Sequence, residues 1–231
     1  MFKLDNVCYR YKAGTQDVLK NVNAEMEAGK LHAIVGPSGS GKTTLLSIMA
    51  GMDRPMEGAV YIDGEDLSKL DLDRYRREKV SMVFQAFHLF PLLTAMENVC
   101  YPMETLGVSR KKAMERAKPL LESVGIDGDK YSRYPSNLSG GEQQRVAIAR
   151  ALASGAKLIL ADEPTGNLDS ANGNAVMDIL RYLAHERSYC VIIVTHNPEI
   201  AESADQVFRM KDGKLEVKTH ERDDHARYRK P

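Results

Sequence analysis

The chain has no excess of charge, no pairable set of cysteines and no long apolar run. Its 231 residues carry 32 Lys and Arg against 32 Asp and Glu. No bulk attraction to nucleic acid or to an anionic membrane surface follows from that balance. The cysteines, Cys8, Cys100 and Cys190, are odd in number, lack metal-ligand spacing and sit in apolar stretches. This excludes a disulfide scaffold and a cysteine metal cluster, and fits a reducing cytosol. No run of about 18 apolar residues occurs. The opening "MFKLDNVCYRYK" lacks the basic start, apolar middle and cleavage site of a signal peptide. The expectation is a soluble chain that stays where it is made. No internal repeat or low-complexity block is present, and no basic stripe that would suit nucleic acid.

What is there is 43% hydrophobic, enough to bury a core. Four runs, "LHAIV" (Leu31–Val35), "VSMVF" (Val80–Phe84), "LILA" (Leu158–Ala161) and "CVIIV" (Cys190–Val194), are continuous rather than alternating, as in strands buried on both faces of a parallel sheet. Helical periodicity lies between them, clearest at Val176, Ile179, Leu180, Leu183 and Ala184. Alternation of strand and helix predicts an α/β fold with a mostly parallel sheet. "FRM" and "LEVKTH" flank Asp212-Gly213, a hairpin signal; with "FKLDNVCYRY" and "AVYIDG" they predict an added antiparallel β subdomain. Residues 87–154 read as a helical insert, in which Met114, Ala117, Leu121 and Val124 share one face that ends at Gly125. The expected organisation is one domain over 1–231. Residues 1–86 and 155–220 form a core with the antiparallel subdomain, 87–154 the helical part, and 221–231 a frayed charged tail.

Gly36-Pro37-Ser38-Gly39-Ser40-Gly41-Lys42-Thr43 fits the phosphate-loop pattern between a strand and a helix. Its glycines let backbone N–H groups face phosphate oxygens, Lys42 can reach the β and γ phosphates, and the Thr43 hydroxyl can hold Mg²⁺. "LILA" ends in Asp162-Glu163, on the edge where parallel sheets place ligands. Asp162 can serve the Mg²⁺ shell while Glu163 takes a proton from an attacking water. His196 follows "CVIIVT" at the same edge, where its imidazole can donate to a γ-phosphate. Gln85 follows "VSMVF" and can reach metal or water. In "NLSGGEQQRVAIARAL", Ser139 stands at a helix N-cap with Gly140 and Gly141 behind it. That is an anion site without a Lys or a metal ligand, hence half of a site.

Together these residues resemble, over nearly the whole chain, the ATP-binding subunits of ABC transporters. The resemblance implies the ABC ATPase fold, a P-loop NTPase core with a helical insert, and ATP with Mg²⁺ as ligands. Residues Gly36 to Thr44 look like the phosphate loop, Tyr11 like the adenine-stacking aromatic and Gln85 like the metal-sensing glutamine. Asp162 and Glu163 look like the magnesium and base carboxylates, "GNLD" like the loop that contacts the partner subunit, and His196 like the switch histidine. "LSGGEQQR" looks like the family signature, with Ser139, Gly140, Gly141 and Glu142 meeting the ATP of a second copy in a head-to-tail dimer. Tyr9 shares a strand face with Tyr11 at i+2, which leaves two candidates for the adenine platform. Asn197 stands where the family often has Asp.

"FQAFHLFPLLTAMENV" and "ADEPTGNLDS" are similar to the branch that includes macrolide efflux, lipoprotein release, antimicrobial-peptide resistance and the cell-division pair. About 35 residues follow His196, too few for the regulatory domain of many sugar importers. The expected function is an ATPase that dimerises on ATP and drives a separate membrane permease for efflux or force transmission. It would be cytoplasmic and peripheral on the inner face of the membrane. Phe87, Leu89, Phe90, Leu92 and Leu93 crowd after Gln85, and the expectation is that Gln85 to Leu93 forms an apolar docking groove for a permease helix. A soluble ABC ATPase acting on nucleic acid or ribosomes is the alternative, though such proteins usually fuse two cassettes or insert a long coiled coil. A nucleotide-gated module without turnover is disfavoured by Glu163.

Overall fold

The computed structural model describes residues 1–12 and 15–218; the tail expected over 221–231 lies outside them. Strands β1 (Phe2–Tyr9), β2 (Leu19–Met26) and β3 (Leu31–Val35) lead through the glycine loop into α1 (Lys42–Met49). Next come β4 (Glu57–Ile62), the short β5 (Glu65–Asp66), α2 (Leu72–Glu78) and β6 (Val80–Phe84). Three helices follow, α3 (Ala95–Thr105), α4 (Arg110–Ser123) and α5 (Gly140–Ala153). The chain then passes through β7 (Leu158–Asp162), α6 (Ser170–Arg187), β8 (Cys190–Thr195) and the short α7 (Pro198–Glu202) into β9 (Gln206–Lys211) and β10 (Lys214–Lys218).

The four continuous apolar runs become β3, β8, β7 and β6, side by side and parallel. Their alternate residues enter two separate cores. Ile34, Leu160, Ile192 and Val194 belong with α1 and the antiparallel sheet, whereas Ala33, Ile159, Val191 and Ile193 belong with α3 to α6. A strand that feeds two cores has no polar face, which is why these segments do not alternate. The antiparallel sheet, in the order β2-β1-β4-β5, buries one face only. Phe2, Leu4, Val22, Met26 and Val60 supply it.

β2 has no clean period-two signal in the sequence because of a bulge. Asn21 has a φ of 50°, and the register against β1 shifts on both sides of Val7. Buried Leu19 and Val22 are therefore three residues apart, and the alternation resumes only at Val22, Ala24 and Met26.

The hairpin around Asp212-Gly213 is present, but it does not join the antiparallel sheet. β9 pairs with β3 in parallel and β10 closes the edge, giving the order β10-β9-β3-β8-β7-β6. The crossover through α7 causes this, since a helix between two strands delivers the second one parallel. The hairpin tip then links the sheets. Gly213 N donates to Ser40 O (3.2 Å), and Gly213 O accepts from Lys20 N (2.8 Å).

The expected face of α4 is shifted by one residue at its start. Met114 is 45% exposed, while Ala113, Ala117, Leu121 and Val124 are buried. The large side chain drew the pattern, but only a methyl group fits beneath α4 there. Ala113→Leu is expected to destabilise the fold by about 1–3 kcal/mol through overpacking. Met114→Ala should stay within about 0.5 kcal/mol of the parent. Urea unfolding checks both, and equal losses would contradict the assigned face.

Candidate nucleotide site

β3 ends at the glycine loop because no side chain could be accommodated there. A Cβ on Gly36 would lie 2.2 Å from the Met210 carbonyl of β9. Gly39 and Gly41 take φ values of 77° and 107°, and Gly41 caps α1 without a side-chain bond. The loop therefore presents backbone N–H groups at the start of α1, the arrangement that favours an anion. Pro37 and Ser38 complete its turn. The Ser40 Oγ is buried without a partner, and Lys42 Nζ donates only to the loop's own carbonyls, Gly36 O at 2.8 Å and Pro37 O at 3.0 Å. An orphaned hydroxyl and an ammonium resting on carbonyls fit a phosphate ligand, which would supply acceptors for both.

Tyr11 belongs to the same corner. Its hydroxyl meets Thr44 Oγ1 at 2.7 Å, and its ring, 49% exposed, stands edge-on to Tyr9 at 5.2 Å. Tyr9 packs against the core under the antiparallel sheet. Of the two, Tyr11 is the more exposed.

Asp162 and Glu163 end β7 in different surroundings. Burial, and then the neighbouring Glu163 carboxylate, raise the Asp162 carboxyl above its usual range, while Lys42 and a hydrogen bond from Thr43 pull the other way. The Thr43 hydroxyl and the Asp162 carboxylate form a hard-oxygen pair that suits Mg²⁺, a cation that commonly takes few protein ligands and completes its shell with phosphate and water. Among the described residues no group of three His, Cys, Asp or Glu could hold a metal alone. Glu163 faces β8. Its Oε1 accepts from His196 Nδ1 (2.7 Å) and its Oε2 from Thr195 Oγ1 (3.1 Å). A carboxylate only accepts, so His196 donates through Nδ1–H and Nε2 is its outward nitrogen. Asn197 caps α7, its Oδ1 accepting from Glu199 N.

Gln85 lies at the end of β6, but its amide turns to the "GNLD" loop. Gln85 Nε2 donates to Asn167 Oδ1 (3.2 Å), and Asn167 Nδ2 donates to Gln85 O (3.0 Å). Gly166 permits this, since a Cβ there would stand 2.8 Å from Gln85 Nε2. Thr195, Asn167 and two side chains of α5, Gln144 and Arg150, are contacts that motif reading did not single out. Thr195 had a signal only in its position beside His196.

Ser139 caps α5 in a capping box. Its Oγ accepts from Glu142 N (3.3 Å), and Glu142 Oε2 accepts from Ser139 N (2.8 Å). That backbone bond, ahead of Lys130, holds the Glu142 carboxyl below its usual value. The two glycines differ in what they permit. Nothing comes closer than 3.6 Å to a Cβ on Gly140, whereas one on Gly141 would fall 2.2 Å from Asn172 Oδ1 of α6. Gly141 therefore has a packing role inside the chain, whereas a Cβ on Gly140 would be accommodated at the helix start.

Of the five apolar residues after Gln85, Phe90 and Leu92 are exposed, and Phe87, Leu89 and Leu93 are half-buried. Phe87 and His88 both have positive φ, 60° and 48°. Arg150 of α5 holds the two strained residues, donating to His88 O (2.6 Å) and Phe87 O (3.0 Å). Beside them runs a groove of about 340 Å³, lined by Met52, Arg77, Met82, Phe84, Phe90 and Tyr101 among others.

The sequence profile of the family described as ABC transporter matches residues 19–166. The chain is 46% identical over 220 residues to the macrolide export ATP-binding/permease protein MacB of Salmonella typhimurium, covering 93% of this chain but 34% of that protein. It thus spans about a third of the length of that relative. It is 47% identical over 203 residues to an uncharacterized ABC transporter ATP-binding protein of Thermotoga maritima, covering 87% of this chain and 86% of the other. Among solved structures, the dimeric bacterial ABC transporter cassette MJ0796 is 43% identical with a TM-score of 0.84, covering 94% of this chain and 97% of that one. The same cassette, at the same identity and TM-score, is known as a dimer in a post-hydrolysis state bound to ADP and Pi.

Gly141→Ala is expected to cost about 1–3 kcal/mol of stability, because Asn172 must give way. Gly140→Ala should change stability by less than about 0.5 kcal/mol. Adding Asn172→Ala to Gly141→Ala should recover part of the loss. A thermal or urea double-mutant cycle reads this coupling, and additive losses would mean that the contact is not the reason for the glycine.

Proposed function

The chain belongs to the ABC transporter family as one of its ATP-binding cassettes, with an ABC ATPase fold, and from that premise we propose that two copies bind ATP between them and drive a membrane permease. The observation that carries this reading is the convergence at one sheet edge of the glycine loop with Lys42, the Thr43–Asp162 pair and the Glu163–His196 pair. In this reading Lys42 leaves the carbonyls of Gly36 and Pro37 for the β and γ phosphates, and Ser40 gains an acceptor. Thr43 and Asp162, with Gln85, would hold Mg²⁺, which when bound neutralises charge developing on the phosphates. Glu163 accepts the proton of the attacking water. His196 holds Glu163 Oε1 through Nδ1–H; to donate to the γ-phosphate as well, its ring would carry a second proton on Nε2. Tyr11 lies against the adenine.

The open start of α5, with Ser139, Gly140, Gly141 and Glu142, would meet the nucleotide of the second copy, which explains an anion site without its own lysine. In the same reading residues 1–86 and 155–220 act as the nucleotide-binding core and 87–154 as the helical signature unit. The groove beside Phe90 is the proposed seat of an amphipathic permease helix, with Gln85, bonded to Asn167, linking it to the nucleotide. Among the described residues no helix is long and apolar enough to cross a membrane. The proposed location is the inner face of the membrane, reached through the permease. Resemblance to a macrolide export protein supports efflux or force transmission as the work done.

Glu163→Gln should retain ATP binding and lose hydrolysis by about 100-fold or more, since an amide cannot take the water's proton. With ATP present the variant should elute as a dimer on gel filtration. A strictly monomeric variant that still saturates with ATP would contradict the shared site. Phe90→Ser should leave the ATPase activity and dimerisation of the isolated subunit unchanged while lowering permease association and coupled activity in membranes. Unchanged association there would place the docking surface elsewhere.

A further inference from the structure

Glu163 is held in a backbone conformation that it would not choose. Its φ is 47°, in the left-handed region that non-glycine residues avoid, and it stands before a proline. Two backbone bonds fix it: Glu163 N donates to Val194 O at 2.9 Å, and Glu163 O accepts from Gly166 N at 3.0 Å. The next residue, Pro164, has no N–H, is buried, and keeps only its carbonyl as a handle. That carbonyl accepts from Gln144 Nε2 at 2.6 Å. Gln144 is fully buried. Its other amide atom, Oε1, has no partner, so the side chain is not explained by general polar satisfaction. A buried amide that leaves one end unsatisfied to place the other on a single carbonyl serves that carbonyl.

Resting on the reading of Glu163 as the base, we propose that Gln144 is a positioning residue, whose amide holds the Glu163-Pro164 backbone and so aims the Glu163 carboxylate at the reacting water. Gln144 stands on α5, the helix that Ser139 caps. The same helix that would close the partner's nucleotide site therefore grips the base of its own site. A shift of α5 on dimer closure moves the donor at Pro164 O, and the strained backbone at Glu163 follows. Each copy thus senses, at its own base, whether its signature helix has engaged the other nucleotide. On this account closure and proton abstraction are joined within one chain, through one hydrogen bond.

The test uses the full-length protein with ATP and Mg²⁺. Gln144→Met keeps the length of the side chain, removes the donor to Pro164 O and also removes the unpartnered Oε1, so the melting temperature should change little. The expected result is a fall in kcat of about tenfold or more with the KM for ATP within about twofold, because the cradle around Lys42 is untouched. In a Glu163→Gln background the ATP-driven dimer should still form. Gln144→Leu, which also lacks a donor to Pro164 O, should be at least as slow as Gln144→Met; if it fails to fold, Gln144→Met decides alone. A kcat within twofold of the parent in Gln144→Met would overturn the proposal. So would a joint loss of kcat, ATP affinity and melting temperature, which marks a merely structural role. Glu163→Gln in parallel separates the failures. Hydrolysis that survives Glu163→Gln overturns the base assignment and this proposal with it. Hydrolysis lost there but unchanged in Gln144→Met overturns the positioning role alone.

Discussion

The constraint on which the rest depends is that β3, β7 and β8 are buried on both faces. A strand that feeds two cores has nowhere to place a charge except its end. Asp162, Glu163 and His196 sit at or just past the ends of such strands, and Lys42 opens α1 beyond the loop that leaves β3; His32, the ionisable side chain inside β3, is buried and bonded to Gln206 and the Glu27 carbonyl. Parallel pairing then puts those ends on one edge, because every strand in the set runs the same way. The hairpin tip adds a brace at that edge, joining Ser40 of the glycine loop to Lys20 of the antiparallel sheet through Gly213.

At the edge, adjacent carboxylates are separated by environment. Asp162 is drawn to Lys42 and Thr43, whereas Glu163 turns to β8 and shares its two oxygens between Thr195 and His196. The left-handed backbone at Glu163, just past the end of β7, breaks the strand's alternation there. The strain is held from several sides, as strained functional residues generally are. α5 grips strained backbone at two places, Pro164 beside Glu163 through Gln144 and the Phe87–His88 pair through Arg150. One helix thus reaches the backbone beside Glu163, the Phe87–His88 loop and, at its open N-terminus, the surface proposed for the second copy.

The parallel strands were legible because burial on both faces leaves a continuous apolar signature, and the glycine loop because few sequences place a lysine after so many glycines. Other features were hidden for identifiable reasons. The bulge at Asn21 breaks the alternation of β2. Ala113 is too small to mark the buried face of α4, so Met114 took its place in the pattern. The hairpin was readable from Asp212-Gly213, but its sheet was not, because membership depends on the crossover through α7 rather than on the turn. Gly141 reads as a ligand glycine, and its second role, leaving room for the Asn172 side chain, has no sign in the sequence. Gln144 and Asn167 fall inside the quoted "LSGGEQQR" and "GNLD", but the partners they bond, Pro164 and Gln85, are far away in sequence and carry no sign there.

The central claim is that the nucleotide site is shared between two copies, with Lys42 of one and Ser139 of the other facing the same ATP. The direct measurement mixes Lys42→Ala with Ser139→Arg, both in a Glu163→Gln background, and determines the nucleotide retained by the dimer after gel filtration with ATP. A mixed dimer contains one intact site, made of the Lys42 of the Ser139→Arg chain and the Ser139 of the Lys42→Ala chain. The account predicts a dimer peak with one ATP per two chains in the mixture and none in either variant alone. A mixture that stays monomeric, or that behaves as the sum of its parts, would contradict it.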